Sequence, residues 1–369
     1  MKDRNVLIFG GAGFIGSNWA ERLLATSAAK VHLFDDLSRR GVRHNLEWLQ
    51  RSADPQRLQV TVGDVRDPNA VARAVRNASE IYHLAAQTAV TRSLDDPRHD
   101  FDVNLGGTLN VLEAVREAGH RPFLLFTSTN KVYGEMGNRP LVVTRERYRY
   151  ADGGGVSETQ PLDFHSPYGC SKGGAEQYVH DYARSYGIPT VILRMSCVAG
   201  PRQFGNEDQG WVAHFLYSAM AGVPVTIYGD GRQVRDVLYV GDLLNAFEAI
   251  VEKRGLTEGQ IYNVGGGAEN TTSLLELVGQ IENMTGRRLR YATQPMRPGD
   301  QVIYVTDHAR LTRETRWHPE TSLRETLDAV LDWWTRHRSL LPQAALPQTR
   351  VAAKETGFSI PLQELPRTA

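Results

Sequence analysis

Cysteine is scarce in this chain of 369 residues, which contains only Cys170 and Cys197. Two thiols are too few for a disulfide framework or for a structural zinc site built on thiolates. Their scarcity favours a reducing compartment, and we expect the cytoplasm. No metal site is predicted.

An excess of charge is also missing, because Lys plus Arg and Asp plus Glu both total 42. Without a basic excess, neither nucleic acid nor an anionic membrane is an expected partner. The N-terminus runs directly into a strand without a leader, and no apolar run approaches the roughly 20 residues that cross a bilayer. The partners that remain are small molecules and further copies of the chain.

Apolar sequence, in contrast, is abundant, with 41% of the residues hydrophobic and 8% aromatic. Such a chain can bury the core of one elaborate domain or two. Short apolar runs alternate with amphipathic stretches through residues 1–195. This alternation predicts an α/β fold, a Rossmann-type doubly wound parallel sheet with right-handed crossovers.

A glycine-rich turn follows the first apolar run, Asn5–Phe9, and precedes an amphipathic helix. Gly10, Gly13 and Gly16 have the spacing that permits a tight turn, close approach of a pyrophosphate and close packing of helix on strand. A glycine motif alone is often just a loop. The strand before it and the helix after it favour a dinucleotide site.

The second strand ends at Asp35, about 20 residues beyond the glycines, where a carboxylate is expected to hold the adenosine ribose hydroxyls. A carboxylate there repels a 2′-phosphate and favours NAD over NADP, although Arg39 and Arg40 weaken the exclusion. A capping role for Asp35 or Asp36 is the alternative.

Two later turns also follow predicted strands. Asp64 could accept a hydrogen bond from the adenine amino group, and the small side chains of Ala85 and Ala86 let a cofactor pass closely. Alternatively, Asp64 caps a helix and the alanines pack against one.

The predicted reaction centre lies after the next strand. Thr127, Ser128 and Thr129 place hydroxyls at the sheet edge, and Tyr168 and Lys172 are one helical turn apart, which puts an ammonium beside a phenol. A phenol with a pKa of about 10 becomes a base near neutral pH only beside positive charge, such as a lysine and a nicotinamide together. The spacing alone is weak evidence, because Tyr and Lys are common on exposed helix faces.

These motifs together resemble the extended short-chain dehydrogenase/reductase family, which acts mostly on nucleotide-activated sugars. The resemblance covers residues 5–334 and implies that Thr129 binds the substrate hydroxyl, Tyr168 is the base or acid, and Lys172 lowers its pKa and binds the nicotinamide ribose. It also implies a smaller, discontinuous C-terminal substrate domain.

Longer shared phrases resemble the members that invert carbon 2 of CDP-linked deoxyhexoses through a transient 2-keto sugar. They lie at 128–134, 162–172, 202–204, 208–212 and 231–236. Dehydratases of the family carry an Asp-Glu pair after the catalytic Thr to expel water. Asn130 and Lys131 stand there in this chain, so dehydration is not expected.

The resemblance implies a site for NAD and a site for a nucleotide-diphosphate sugar, CDP-linked. The cofactor residues are Gly10, Gly13, Phe14, Ile15, Gly16, Asp35, Asp36, Asp64, Val65, Leu84, Ala85, Ala86, Gln87, Asn104, Thr127, Tyr168, Lys172 and Cys197. The substrate residues are Gln87, Ser128, Thr129, Asn130, Arg202, Gln203, Arg235 and Arg297. Neither cysteine needs a nucleophilic role.

The expected domains are 1–195 for NAD, 196–235 and 266–340 for substrate, and a tail at 341–369. Strands at 237–242 and 261–266 are predicted to return to the large domain. Segment 135–161 is predicted to be a lid or subunit contact, or alternatively a solvated excursion. The family suggests a homodimer or homotetramer paired through helices near 105–115 and 170–184.

Three other functions stay open at this point. The first is epimerisation of another nucleotide sugar at carbon 2 or carbon 4, because the residues that select base and sugar are not evident. The second is an NAD-binding regulator without catalysis, which would tolerate loss of Thr129, Tyr168 or Lys172. The third, RNA binding, has only the dinucleotide fold in its favour.

Overall fold

The computed structural model describes residues 4–137 and 139–341. Its strands are β1 (Asn5–Phe9), β2 (Lys30–Asp35), β3 (Leu58–Val62), β4 (Glu80–His83), β5 (Phe123–Thr129), β6 (Leu141–Val143), β7 (Tyr148–Tyr150), β8 (Thr190–Met195), β9 (Cys197–Ala199), β10 (Val225–Tyr228), β11 (Val234–Tyr239), β12 (Gln260–Val264), β13 (Thr271–Ser273), β14 (Tyr291–Gln294) and β15 (Ile303–Tyr304). Its α-helices are α1 (Phe14–Thr26), α2 (Val42–Ser52), α3 (Pro68–Val75), α4 (Val90–Asp95), α5 (Pro97–Phe101), α6 (Gly107–Ala118), α7 (Ser166–Tyr186), α8 (Trp211–Ala221), α9 (Val240–Glu252), α10 (Arg254–Thr257), α11 (Leu274–Thr285), α12 (Ala309–Thr315) and α13 (Leu323–Arg336).

The main sheet has seven strands in the order β12-β8-β5-β4-β1-β2-β3. Every neighbouring pair in it is parallel. The strand order reverses between β1 and β4, and in open α/β sheets ligands bind at the carboxyl ends of the strands at such a reversal. The predicted fold class, a doubly wound parallel sheet, is confirmed.

Both faces of the main sheet are covered, as the alternation of side chains along β1 demonstrates. Val6 and Ile8 belong to one buried apolar cluster, whereas Leu7 and Phe9 belong to another on the opposite face. Since successive side chains of a strand point to opposite faces, a strand that is apolar throughout needs a layer of helices on each side. This burial makes the sheet a rigid platform for the loops at its edge.

The second domain is built around β11, which pairs with β9, β13 and β15. The sequence predicted that strands at 237–242 and 261–266 both return to the large domain, and only β12 does, pairing with β8. The apolar pattern of β11 specifies a buried strand but does not specify which sheet receives it. Helix α9, which follows, packs Phe247 against Trp19 and Tyr82 of the first domain. We therefore propose that the chain returns to the first domain at about residue 240. The boundaries predicted at residues 195 and 340 stay predictions.

Segment 135–161 carries the antiparallel hairpin β6–β7, which is docked on the second domain. The Tyr148 hydroxyl donates to Asp230 at 2.7 Å, and the Tyr150 hydroxyl donates to the Ile303 carbonyl at 2.9 Å. Arg147 forms an ion pair with Glu276. These contacts fix the hairpin to the second domain, although the side chains of β6 are exposed. The roles of this segment as a lid or a subunit contact stay predictions.

Among the described residues, no helix is both long enough and apolar enough to traverse a bilayer. The predicted tail at 341–369 lies outside the described residues except for Leu341.

Candidate active site

A cavity of about 430 Å³ opens at the carboxyl ends of β1, β4 and β5, and the second domain forms its far wall. The predicted site residues that line it are Gly10, Gly13, Phe14, Ile15, Gly16, Leu84, Ala86, Thr127, Ser128, Thr129, Asn130, Tyr168, Lys172, Cys197, Arg202, Gln203, Arg235 and Arg297. Those that do not line it are Asp35, Asp36, Asp64, Val65, Ala85, Gln87 and Asn104. The structure thus brings together most of the predicted cofactor and substrate positions.

The glycine turn leaves no room for side chains. Gly10 has a φ of +75°, and a Cβ there would lie 2.8 Å from the backbone nitrogen of Ala85. A Cβ on Gly16 would lie 2.3 Å from the Gly10 carbonyl oxygen. Gly13 is the N-cap of α1, and no described side chain caps this helix end. The N-terminal N–H groups of α1 are therefore left to an anion such as a pyrophosphate.

Asp35 braces the glycine turn from the side. Its carboxylate accepts from the backbone N–H of Ala12 at 3.0 Å and of Leu37 at 2.9 Å. Burial raises the pKa of this carboxyl, and the two N–H groups oppose the rise. These contacts stabilise the turn and are not the helix cap given above as the alternative. The ribose contact stays a prediction.

Two other predicted cofactor residues, Asp64 and Asp36, have partners within the protein. The Asp64 carboxylate pairs with the Arg66 guanidinium at 2.6 Å, which lowers the pKa of Asp64. Asp36 accepts from the Ser38 hydroxyl at 2.7 Å. The predicted bond from adenine to Asp64 would therefore compete with this ion pair.

The half-buried Gln87 and the buried Asn104 form a hydrogen-bond network beneath α7 and do not line the cavity. Both side-chain amides donate to Asp100, at 2.8 and 3.1 Å, and Asn104 also donates to Ser171 at 3.0 Å. Ser171 in turn donates to Asp100 at 2.5 Å. The predicted contacts of Gln87 with substrate, and of Gln87 and Asn104 with cofactor, stay predictions, and neither residue lines the cavity. Their network holds α7, on which Tyr168 and Lys172 lie.

Tyr168 and Thr129 form the reactive wall of the cavity. The Thr129 hydroxyl oxygen accepts from the Lys131 backbone N–H at 3.2 Å and donates to the Asn130 side-chain oxygen at 3.4 Å. Burial raises the pKa of Tyr168 to about 12, and a hydrogen bond with Thr129 opposes the rise. In the protein alone, therefore, Tyr168 is a phenol rather than a phenolate.

Lys172 is on the same face of α7 as Tyr168, but its ammonium lies over the Phe126 ring, 4.1 Å from the ring centroid. Burial lowers the pKa of Lys172 to about 7, against the opposing effects of Glu176 and Asp100. The charged groups that act on the Tyr168 phenol are Asp100 and Arg39. Helical spacing does not specify this lysine rotamer, and the expectation that the ammonium lowers the pKa of the phenol stays a prediction.

A buried ion pair next to Lys172 was not predicted from the sequence. Glu176 accepts from the Arg194 guanidinium at 2.5 Å and from the Ser128 hydroxyl at 2.6 Å. Ser128 was predicted to contact substrate, yet its hydroxyl proton is donated to Glu176. The four-residue step from Lys172 to Glu176, which places both side chains on one helix face, could have indicated this network.

The three arginines predicted to bind substrate separate into two groups. On the second-domain wall, Arg235 pairs with Asp300 at 2.9 Å and Arg297 pairs with Asp208 at 3.1 Å. Arg202 is held against the first domain, over the Trp48 ring at 3.5 Å. The first two are therefore better placed than Arg202 to bind one diphosphate together.

The fold, with Thr129 at the end of a central strand and Tyr168 and Lys172 on the following helix, defines the class of extended short-chain dehydrogenases/reductases. The chain belongs to the GDP-mannose 4,6 dehydratase family, whose model matches residues 7–330. The family expected from the sequence motifs is thereby confirmed.

Three similar proteins illustrate this relationship. The chain is 40% identical over 336 residues to CDP-paratose 2-epimerase of Salmonella typhi, covering 89% of this chain and 98% of that protein. It is 34% identical to the solved UDP-glucose 4-epimerase of Thermus thermophilus in complex with NAD, with a TM-score of 0.75 and coverage of 90% and 99%. It is 27% identical to UDP-glucuronic acid 4-epimerase from Bacillus cereus in complex with UDP-glucuronic acid and NAD, with a TM-score of 0.79 and coverage of 90% and 99%.

Proposed function

We propose that the protein is an NAD-dependent isomerase that inverts carbon 2 of a CDP-linked deoxyhexose of the CDP-paratose/CDP-tyvelose type. The observation that carries this proposal is the pair that follows Thr129. Dehydratases need carboxyl groups there to expel water, whereas Asn130 is an amide and Lys131 is ion-paired with Asp300 at 2.9 Å. Without these carboxyl groups the oxidised sugar would not lose water. It would then be reduced again by return of the hydride. The 40% identity with CDP-paratose 2-epimerase supports the choice of carbon 2 and CDP.

The residues that would hold NAD are those of the glycine turn and of the adjoining strand ends. The close approach at Gly10 and Gly16 and the uncapped N-terminus of α1 fit its pyrophosphate, and the small Ala86 borders its path. When bound, NAD supplies the hydride acceptor and donor together with a positively charged ring. Because one cofactor is oxidised and reduced within a cycle, no added NAD is consumed.

The chain's own residues orient the sugar and move the proton. The Thr129 hydroxyl binds the oxygen on carbon 2, and Tyr168 removes the proton from this oxygen and later returns it. Arg235 and Arg297 hold the diphosphate, which keeps the nucleotide anchored while the 2-keto sugar turns over within the pocket. Bound NAD would supply the hydride to the opposite face of carbon 2, which would invert its configuration.

A panel of CDP-, GDP-, UDP- and dTDP-sugars in deuterated water, without added NAD, tests this proposal. We expect interconversion of carbon-2 epimers of a CDP-sugar with no deuterium at carbon 2, since the hydride is retained. Deuterium bound to carbon 2 would instead indicate proton abstraction. Retention of NAD by Tyr168→Phe, without turnover, is the expected control.

The second candidate is 4-epimerisation of a UDP-sugar, favoured by the similarity to two solved 4-epimerases. In the same panel, it predicts carbon-4 epimers of a UDP-sugar and none at carbon 2. A non-catalytic NAD-binding regulator predicts no epimer at all. The intact set Thr129, Tyr168 and Lys172 favours catalysis over this last alternative.

We also propose a cytoplasmic homodimer or homotetramer paired through α6 and α7. On α7, Tyr178 and Tyr186 are 44% and 45% exposed, a large aromatic area for a helix surface. Light scattering of purified protein should give twice or four times the chain mass of 41.1 kDa. A mass of one chain at micromolar concentration would contradict this assembly.

A further inference from the structure

Three charged side chains meet where the turn after Thr129 contacts the second domain. They are Lys131, Arg235 and Asp300. One oxygen of Asp300 accepts from the Lys131 ammonium at 2.9 Å and from the Arg235 guanidinium at 2.9 Å. Lys131 and Arg235 are largely buried, with 15% and 11% of their side chains exposed. Both face the cavity that contains Thr129 and Tyr168.

The charge of this cluster follows from its geometry. Although burial opposes ionisation, Lys131 and Arg235 hold the pKa of Asp300 down at about 2, so it is a carboxylate at neutral pH. Burial lowers the pKa of Lys131, and the Asp300 carboxylate opposes this effect. With Lys131 as the ammonium, two cations and one anion leave a net charge of about +1. If the lysine were missing, Asp300 would neutralise Arg235 and the wall would present no net positive charge there.

The cluster is also fixed in place, so its charges do not rearrange freely. Gln301 is fully buried and donates to the carbonyl oxygens of Asn130 at 3.1 Å and Gly134 at 2.8 Å. Arg235 donates to the Gln301 carbonyl at 2.6 Å. The loop that carries Asp300 is therefore bonded both to the turn that carries Lys131 and to Arg235.

We propose that Lys131 is a positioning residue of the diphosphate site, which neutralises Asp300 and so leaves the Arg235 guanidinium free to bind an anion. This inference rests on the proposed function insofar as Arg235 binds the diphosphate. Lys131 then does more than replace a carboxyl group that dehydration would need. The alternative is that the Lys131 ammonium binds the phosphate directly, in which case the charge of Asp300 would not matter.

Charge arithmetic gives the test. The net charge of the cluster is about +1 in the wild type, zero in Lys131→Met, +2 in Asp300→Asn and +1 again in the double variant. We expect Lys131→Met to bind CDP about tenfold more weakly and Asp300→Asn at least as tightly as the wild type. The double variant should return to within about threefold of the wild type.

Isothermal titration calorimetry with CDP, and with UDP, GDP and dTDP in parallel, measures these affinities for the NAD-loaded protein. The nucleoside without phosphates, cytidine in the case of CDP, should bind all four proteins equally. Lys131→Arg keeps the charge and should bind CDP as the wild type does. Lys253→Met, in an exposed pair with Glu252, is the matched control that should change nothing.

The inference is overturned if the double variant binds CDP as weakly as Lys131→Met does. That result would mean that Lys131 contacts the phosphate directly or that its loss damages the fold. Equal loss of cytidine binding, or unchanged CDP affinity in Lys131→Met, would overturn it as well. If Lys131→Met does not fold, weaker CDP binding by Asp300→Asn alone overturns it. CDP binding can be measured without turnover, so the two proposals can fail separately. If the CDP affinities follow the expected order but the protein epimerises no sugar, only the proposed function is refuted.

Discussion

The Tyr168 phenol must lose its proton before it can act as a base, and the protein alone opposes this loss. Burial raises the pKa of Tyr168 to about 12, and the negative charge of Asp100 contributes to the rise. Oxidised NAD would bring a positive ring into the same cavity. We therefore predict that NAD binding lowers the pKa of Tyr168, and that removing NAD raises it again.

The size of the effect follows from Coulomb's law. A positive charge about 4 Å from the phenolate is worth about 4 kcal/mol at an effective dielectric constant of about 20. Since one pKa unit is about 1.4 kcal/mol, this lowers the pKa by about three units, to about 9. About 1% of Tyr168 is then phenolate at pH 7, and the rate should rise about tenfold per unit up to about pH 9.

Near-ultraviolet absorbance of tyrosinate, recorded as the difference between wild type and Tyr168→Phe, measures this pKa with and without NAD. The same protein should show kcat/KM rising with pH over the same interval. The reasoning is refuted if Tyr168 titrates at the same pH with and without NAD. A rate that is flat between about pH 7 and about pH 9 would refute it equally.

Three further predictions test the site and its support. Gly16→Ala should weaken NAD binding at least about 100-fold, because its Cβ would lie 2.3 Å from the Gly10 carbonyl, whereas Gly279→Ala, with open space around it, should bind NAD normally in a fluorescence titration. Glu176→Gln should lower the free energy of unfolding by about 3–5 kcal/mol, because the buried Arg194 guanidinium then lacks its carboxylate partner. Urea denaturation measures this loss, and the control Glu252→Gln, at an exposed ion pair, should change the free energy by less than about 0.5 kcal/mol. Burial lowers the pKa of Lys172 to about 7 from 10.5, so the unfolded chain binds this proton where the folded chain does not, and the stability of the cofactor-free protein should rise with pH between these values. Lys172→Met should reduce that slope, and an unchanged slope would contradict the assignment.

The first domain could be predicted from sequence because its signals are local. A strand, the glycines at 10, 13 and 16, and a helix define one compact unit, and their spacing fixes the backbone. The sheet order follows from the same repeated units and the preference for right-handed crossovers. The side-chain partners were predicted less well. Asp64 pairs with Arg66, two residues further along the chain, and Gln87 bonds to Asp100, and the strand and helix pattern specifies neither partner.

The reaction centre illustrates the same division between spacing and rotamer. The four-residue step from Tyr168 to Lys172 does place both on one helix face, and both line the cavity. It does not determine that the ammonium packs over Phe126, because that depends on a ring contributed by β5. Nor does it indicate that Arg194, from the neighbouring strand β8, pairs with Glu176 one turn further on. Each such partner comes from a segment distant in sequence.

The hairpin between Thr129 and Tyr168 connects the parts of the chain that carry these two residues and fixes both to the second domain. The chain leaves the first domain after Thr129, is bonded to the second domain through Tyr148 and Tyr150, and returns to begin α7. At its start, Gln301 bonds the turn after Thr129 to the loop that also carries Asp300. The two walls of the cavity are thus held by the same set of bonds. Under the proposed function, the 2-keto sugar would turn between walls that are fixed to each other, while its diphosphate would be bound to one of them.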